Sequence, residues 1–214
     1  MHSRHELVWL TAHGWQAARA ACPQHATTLE RWQREDWPCV VRREDAGADP
    51  ARELCLGIAL PPGAKGIKVR IALRIDLANV ARRRAPLALA DVRTAVPTAW
   101  REGFAVLESE AGGLALRVYG SLSWQALTGL PCVTDTSDMD LLIEARDLAQ
   151  LHAGVALLGA AHGLPLDGEI VFPGGQAVAL KEWAGHDERV LVKHGKGVRL
   201  ARRSALLATL EAPC

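Results

Sequence analysis

From Leu114 onward the chain alternates between two hydrophobic rhythms, and that alternation restricts the fold to a sheet with helices packed on it. Leu114 to Tyr119 predicts a strand. Ser121 to Thr128 follows at helical spacing, with Trp124 and Leu127 on one face. Asp138 to Glu144 predicts a second strand, and Leu148, Leu151, Val155 and Leu158 the buried stripe of a helix that stops near Gly163. Asp167 to Phe172 predicts a third strand, ended by Pro173-Gly174-Gly175. Val190 to Lys193 and Val198 to Leu200 predict a hairpin around His194-Gly195-Lys196-Gly197, and Arg203 to Leu210 a helix.

Upstream the rhythm is different. Trp15 to Cys22 and Thr28 to Glu35 predict helices, the second broken by Trp37-Pro38. Cys39 to Val41 and Leu54 to Ala59 predict short strands. After the turn Pro61-Pro62-Gly63, the residues Ile67, Val69, Ile71 and Leu73 alternate with Lys68, Arg70 and Arg74, which predicts a half-buried strand with a basic outer face. Arg82-Arg83-Arg84-Ala85-Pro86 reads as a solvated linker. Trp100, Phe104 and Leu107 then predict a helix ended by Gly112-Gly113. The expectation is an α+β protein, with a mixed sheet and packed helices over residues 86–214 and a small α/β domain over residues 1–85.

Charge narrows the function classes. With 25 Lys and Arg against 24 Asp and Glu, the net charge of +1 does not demand steering toward nucleic acid or an anionic membrane. No aromatic-basic stripe offers bases a stacking platform. Cysteines 22, 39, 55, 132 and 214 are odd in number, widely spaced and without a Cys-x-x-Cys pair, a pattern of reduced thiols. No run approaches the roughly 18 to 20 apolar residues of a membrane span, and the first residues lack a signal peptide's apolar core. The expected compartment is the cytoplasm.

The chemistry concentrates in Ser137-Asp138-Met139-Asp140-Leu141-Leu142. On a strand Asp138 and Asp140 share a face, with Met139 opposite. Two ionised carboxylates so close repel each other, and a hard divalent cation such as Mg²⁺ relieves the repulsion while keeping positions open for phosphate oxygens. The spacing by itself fits solvent-facing acids equally well. Upstream, Val118-Tyr119-Gly120-Ser121 puts Gly120 at a strand exit, where backbone can approach a phosphate, and puts the hydroxyl and amide of Ser121 at a helix start, where both can donate to it. A lone Gly-Ser fits a helix N-cap; a Gly-Ser turn followed by an Asp-x-Asp strand is far more specific. A third carboxylate is expected on the next strand, where Asp167 and Glu169 share a face across Gly168; Glu169 is preferred because the strand continues beyond it. Lys181, Lys193, Lys196 and Arg199 are candidates for holding a leaving pyrophosphate, with Lys196 in the hairpin turn fitting a solvated lysine as readily.

The Gly-Ser turn and the two aspartates resemble the nucleotidyltransferase superfamily that includes polymerase β. That resemblance implies a polymerase-β-like core, a triphosphate at Gly120-Ser121, a two-metal Mg²⁺ site at Asp138 and Asp140, and completion by Asp167 or Glu169. More specifically, the chain resembles the phosphoribosyl-dephospho-CoA transferases, the holo-acyl-carrier-protein synthases of malonate decarboxylase. The stretches that carry this are Arg4 to Leu10, Gly57 to Pro61, Arg70 to Leu73, Val118 to Leu130, Ser137 to Leu142 and Asp167-Gly168-Glu169. The 16 residues between Ser121 and Asp138 suit this family better than generic small-molecule transferases. The resemblance implies a triphosphoribosyl-dephospho-CoA donor, a serine of the acyl carrier protein subunit of malonate decarboxylase as acceptor, pyrophosphate as leaving group, and an N-terminal part that helps dock the carrier or the pantetheine arm. The alternatives are a metal-dependent nucleotidyltransferase acting on a small molecule, tRNA or another protein, and a catalytically inactive binding module with the same fold.

Overall fold

The computed structural model describes residues 3–63, 66–160, 163–195 and 197–211. The chain divides into two compact units, Met1–Pro86 and Leu87–Cys214.

The first unit holds strands β1 (Leu7–Leu10), β2 (Cys39–Val41), β3 (Glu53–Ala59), β4 (Arg70–Asp76) and β5 (Val80–Arg84), with helices α1 (Ala12–Ala21) and α2 (Ala26–Arg34). The sheet order is β4-β3-β2-β1-β5 and every pairing is antiparallel. Helix α1 starts where the Thr11 side chain accepts a hydrogen bond from the Gly14 amide at 3.0 Å, which satisfies one of the free donors of its first turn. Trp15, Leu29 and Trp32 from the helices and Leu7, Val8, Leu56, Ile58, Ile71 and Leu73 from the strands are buried in the core. The Trp32 indole can be buried because it donates to the Pro38 carbonyl at 3.0 Å.

Two expectations are corrected in this unit. Arg82 to Arg84 are no linker but the body of β5, paired to β1 with Leu7 opposite Arg84 and Val8 opposite Arg83. Two of these charges are neutralised locally: Arg83 pairs with Glu6, and Arg82 lies 2.5 Å from Asp36 and stacks over Trp9 at 4.3 Å. The alternating stretch from Ile67 enters the sheet only at Arg70, so Ile71 and Leu73 are buried while Ile67 and Val69 stay exposed at 63% and 40%.

The second unit is built on β6 (Leu87–Ala88), β7 (Leu116–Val118), β8 (Met139–Glu144), β9 (Leu166–Phe172), β10 (Gln176–Ala179), β11 (Arg189–His194) and β12 (Gly197–Arg202). Helices α3 (Leu89–Val92), α4 (Arg101–Glu110), α5 (Gly120–Thr128), α6 (Leu148–Gly159), α7 (Leu180–Ala184) and α8 (Arg203–Glu211) connect and cover them. Strand order is β12-β11-β10-β9-β8-β7-β6. The sheet is mixed: β8 and β9 are parallel, joined through α6, and the other pairs are antiparallel. The protein is therefore α+β.

Alternation divides this sheet into two faces. Met139, Leu141, Ile143, Ile170, Val178, Val190 and Val192 are buried on one of them. Helix α6 presses on this face through Gly154, where a Cβ would come 2.8 Å from a methyl of Ile143. The buried stripe of α6 therefore runs through Leu151, Gly154, Leu157 and Leu158, and Val155, expected within it, is only half-buried. Strand β10 and helix α7 had no counterpart in the sequence reading. Among the described residues no helix is long and apolar enough to cross a membrane.

Candidate active site

The site begins with the exit of β7. The Tyr119 amide donates to the Asp140 carbonyl at 3.0 Å, which locks the end of β7 to the start of β8. Gly120 then turns the chain into α5 with φ +68°, a left-handed conformation that favours glycine. A second reason for glycine is contact: a Cβ here would collide with Oδ2 of Asp140 and lie 2.7 Å from its Cγ. The Asp140 carboxylate thus rests against the bare Cα of the turn. Ser121, half-buried, occupies the first turn of α5, where backbone N–H groups lack helical partners and the helix dipole favours an anion.

Asp138 precedes β8 by one residue and is exposed, Met139 is fully buried, and Asp140 is half-buried. The alternation is that expected of two acids turned away from the core. The loop before them is fixed by a pair sequence reasoning missed. Buried Ser137 accepts from the Thr134 amide at 3.0 Å, and its own amide donates to the Thr134 carbonyl at 2.9 Å. Such side-chain to backbone bonding is the habit of Ser and Thr in turns, so the Thr-x-x-Ser spacing was the available signal.

The polar face continues across the neighbouring strands. Asp140 stands beside Asp167 in the parallel register, and Glu169 lies two residues further along the same face. Glu169 is 4% exposed and is held by Lys193, whose Nζ donates to its carboxylate at 2.7 Å. Asp167 is more open, with Lys181 Nζ at 3.6 Å. Gly168, expected to admit a ligand, serves the neighbouring strand instead: a Cβ there would strike the Leu141 carbonyl oxygen. Arg117 on β7, opposite Leu142, adds a cation to this face, 3.8 Å from Glu144. Arg199 donates to Gln176 at 2.7 Å. Lys196 lies outside the described residues.

The donor set suits a hard cation at Asp138, Asp140 and Asp167, three carboxylate residues that are exposed or half-buried. Glu169 fits less well, being buried and committed to Lys193. Among the described residues no three His, Cys, Asp or Glu side chains already converge as a metal cage.

At the other end of α5 an open cavity of about 500 Å³ is lined by residues that include Thr94, Thr98, Arg101, Gln125 and Gly129. Gln125 braces it, donating to the Ala95 carbonyl at 2.8 Å and accepting from the Val133 amide at 3.1 Å. Ser121 and Gln125 stand one turn apart on α5, so one stripe of the helix runs about 6 Å from the turn to the rim of this cavity.

Known proteins resemble the chain along its whole length. The Phosphoribosyl-dephospho-CoA transferase MdcG N-terminal domain family matches residues 3–86 and the corresponding C-terminal domain family matches residues 88–204. A phosphoribosyl-dephospho-CoA transferase of Xanthomonas campestris pv. campestris (strain 8004) is 39% identical over 211 residues, spanning 96% of this chain and 97% of the relative. That of Xanthomonas euvesicatoria pv. vesicatoria is 40% identical, spanning 99% and 100%, and that of Bradyrhizobium diazoefficiens 37%, spanning 96% and 92%. No solved structure matches significantly.

Proposed function

Because the chain belongs to the phosphoribosyl-dephospho-CoA transferase MdcG family and is a transferase enzyme, we propose that it moves the 2′-(5″-phosphoribosyl)-3′-dephospho-CoA group from a triphosphoribosyl donor to a serine of the apo acyl carrier protein of malonate decarboxylase. The serine oxygen attacks the phosphorus next to the ribose, a phosphodiester forms, and pyrophosphate leaves. The observation that carries this reading is the seating of Asp140 against Gly120, which brings a carboxylate beside a phosphate-type turn.

Each residue then has a role. The bare backbone of Gly120 lets the triphosphate approach, and the Ser121 hydroxyl and amide donate to its oxygens. Asp138 and Asp140, with Asp167 as the third carboxylate in preference to Glu169, would hold Mg²⁺. Bound there, Mg²⁺ supplies Lewis-acid stabilisation of the charge on the attacking and departing oxygens. Lys193 adds fixed positive charge on the side toward β11. The cavity beside α5 takes the dephospho-CoA portion, because it opens one helical turn beyond Ser121, on the side of the turn away from the carboxylates. The polymerase-β-like assignment of this unit belongs to the same proposal, as does a cytoplasmic location, which suits the free Cys22, Cys39, Cys55 and Cys132.

The test is incubation of the protein with donor, Mg²⁺ and apo carrier protein, followed by intact mass spectrometry of the carrier and a pyrophosphate assay. A mass gain equal to the phosphoribosyl-dephospho-CoA group with one pyrophosphate released is expected. Transfer of a nucleoside monophosphate from an ordinary triphosphate in its place would overturn the reading.

A further inference from the structure

The face that carries Asp140, Asp167, Glu169 and Lys193 extends onto the hairpin β11–β12, and there it is bare. Register places Lys193 opposite Val198, Leu191 opposite Leu200, and Arg189 opposite Arg202. These six side chains share one side, because Val190, Val192 and Ala201 between them point into the core. Leu191, Val198 and Leu200 are 38%, 43% and 55% exposed, an apolar cluster open to solvent.

The arginines are the second observation. Like charges directly opposite on antiparallel strands destabilise the pair. Arg189 and Arg202 nevertheless stand so, and Glu188 reaches Arg202 only at 3.8 Å, with both side chains more than two thirds exposed. Glu182 approaches the same edge but is engaged by the Leu191 amide at 2.7 Å. A local conflict of this kind makes sense when a partner resolves it.

We propose that this hairpin face is the docking surface for the acceptor protein, and that it takes an acidic surface segment with an apolar centre. The inference rests on the reading that the acceptor is a protein. Its chemistry follows from complementarity: exposed leucines and valine bury apolar side chains, and Arg189 and Arg202 meet carboxylates. Its continuity with the carboxylate face explains how a partner seated here would present a hydroxyl to the reacting phosphate.

The experiment compares the full-length wild type with Leu200→Glu and with the double variant Arg189→Glu/Arg202→Glu, in transfer to the purified apo carrier subunit. All three positions are exposed, and circular dichroism checks folding. The expected result is a KM for the carrier raised about tenfold or more, kcat within about twofold, and unchanged affinity for the donor by calorimetry. The wild-type KM should itself climb with salt, because rim charges are screened. Unchanged carrier KM in active variants overturns the docking surface and leaves the proposed reaction standing. Donor binding by the wild type with no transfer to the carrier defeats the acceptor assignment, and the surface falls with it. Binding of the wild type, but not of the double variant, to phosphatidylserine vesicles with carrier KM unaltered would assign the patch to a membrane instead.

Discussion

Lys193 reaches across an entire strand to bind Glu169. The two residues lie on β11 and β9, and β10 between them presents only Ala177 and Ala179 on that face, so nothing obstructs the 2.7 Å contact. Lys193→Ala leaves a carboxylate buried without its cation, and a loss of about 2 kcal/mol is expected, less than for a fully buried pair because Lys193 is one third exposed. The double variant Lys193→Met/Glu169→Leu should recover most of that loss. Urea denaturation of the variants measures both, and equal stability of Lys193→Ala and wild type would show that the pair does not support the sheet.

Asp138→Ala and Asp140→Ala should each lower transfer by at least about a thousandfold while leaving the fold intact. Neither side chain is buried in the core, and removing one of two neighbouring carboxylates relieves repulsion. Carrier labelling at the wild-type rate by either variant would remove them from the site.

The turn should respond differently at its two residues. If Ser121 holds a phosphate as proposed, Ser121→Ala removes one hydrogen bond to a charged group, about 1.5 to 3 kcal/mol, and should raise the donor KM about ten- to a hundredfold with a smaller effect on kcat. Gly120→Val cannot keep φ +68° without strain and would drive a side chain into Asp140, so both donor binding and kcat should collapse. Steady-state kinetics with a titrated donor distinguishes the cases; a fully active Gly120→Val would refute the contact.

Acid sensitivity has an identifiable contributor in the first unit. Arg42 donates to both oxygens of Asp45 at 2.5 Å, and this bonding holds the Asp45 carboxyl below its ordinary range. A depressed folded value gives stability that is present above the unfolded pKa, about 3.9, and is lost as pH falls through the folded value. Arg42→Gln should therefore be less stable than wild type at neutral pH, and the gap should narrow as pH falls through the folded Asp45 value. Thermal midpoints recorded from pH 7 to pH 2 would show parallel curves if the pair contributes nothing.

Much of this was legible from alternation. The period of two around Met139 is enough to put Asp138 and Asp140 on one side of a strand, and the Gly-Ser turn is recognisable from its place after an apolar run. What failed depends on partners distant in sequence. Three consecutive arginines read as solvent, yet β1 needs a second edge partner and Glu6 and Asp36 await the charges. Gln176 to Ala179 holds a single β-branched residue, Val178, too weak a signal for a strand, although its two alanines are what lets Lys193 through. The pairing of Glu169 with Lys193 follows from strand order, which no local pattern encodes. Hydrophobicity puts Val155 in the stripe of α6, whereas close approach to Ile143 buries Gly154, whose place there no apolar pattern signals.

With no side chain between the Gly120 turn and the Asp140 carboxylate, the two cannot move independently. An anion that tightens the turn changes the position and the field felt by the carboxylate, and a cation on the carboxylate changes the turn. Occupancy of one therefore alters affinity at the other by the same factor in both directions. Under the proposed reading, donor and Mg²⁺ bind as linked rather than independent ligands, and the affinity for each depends on whether the other is present.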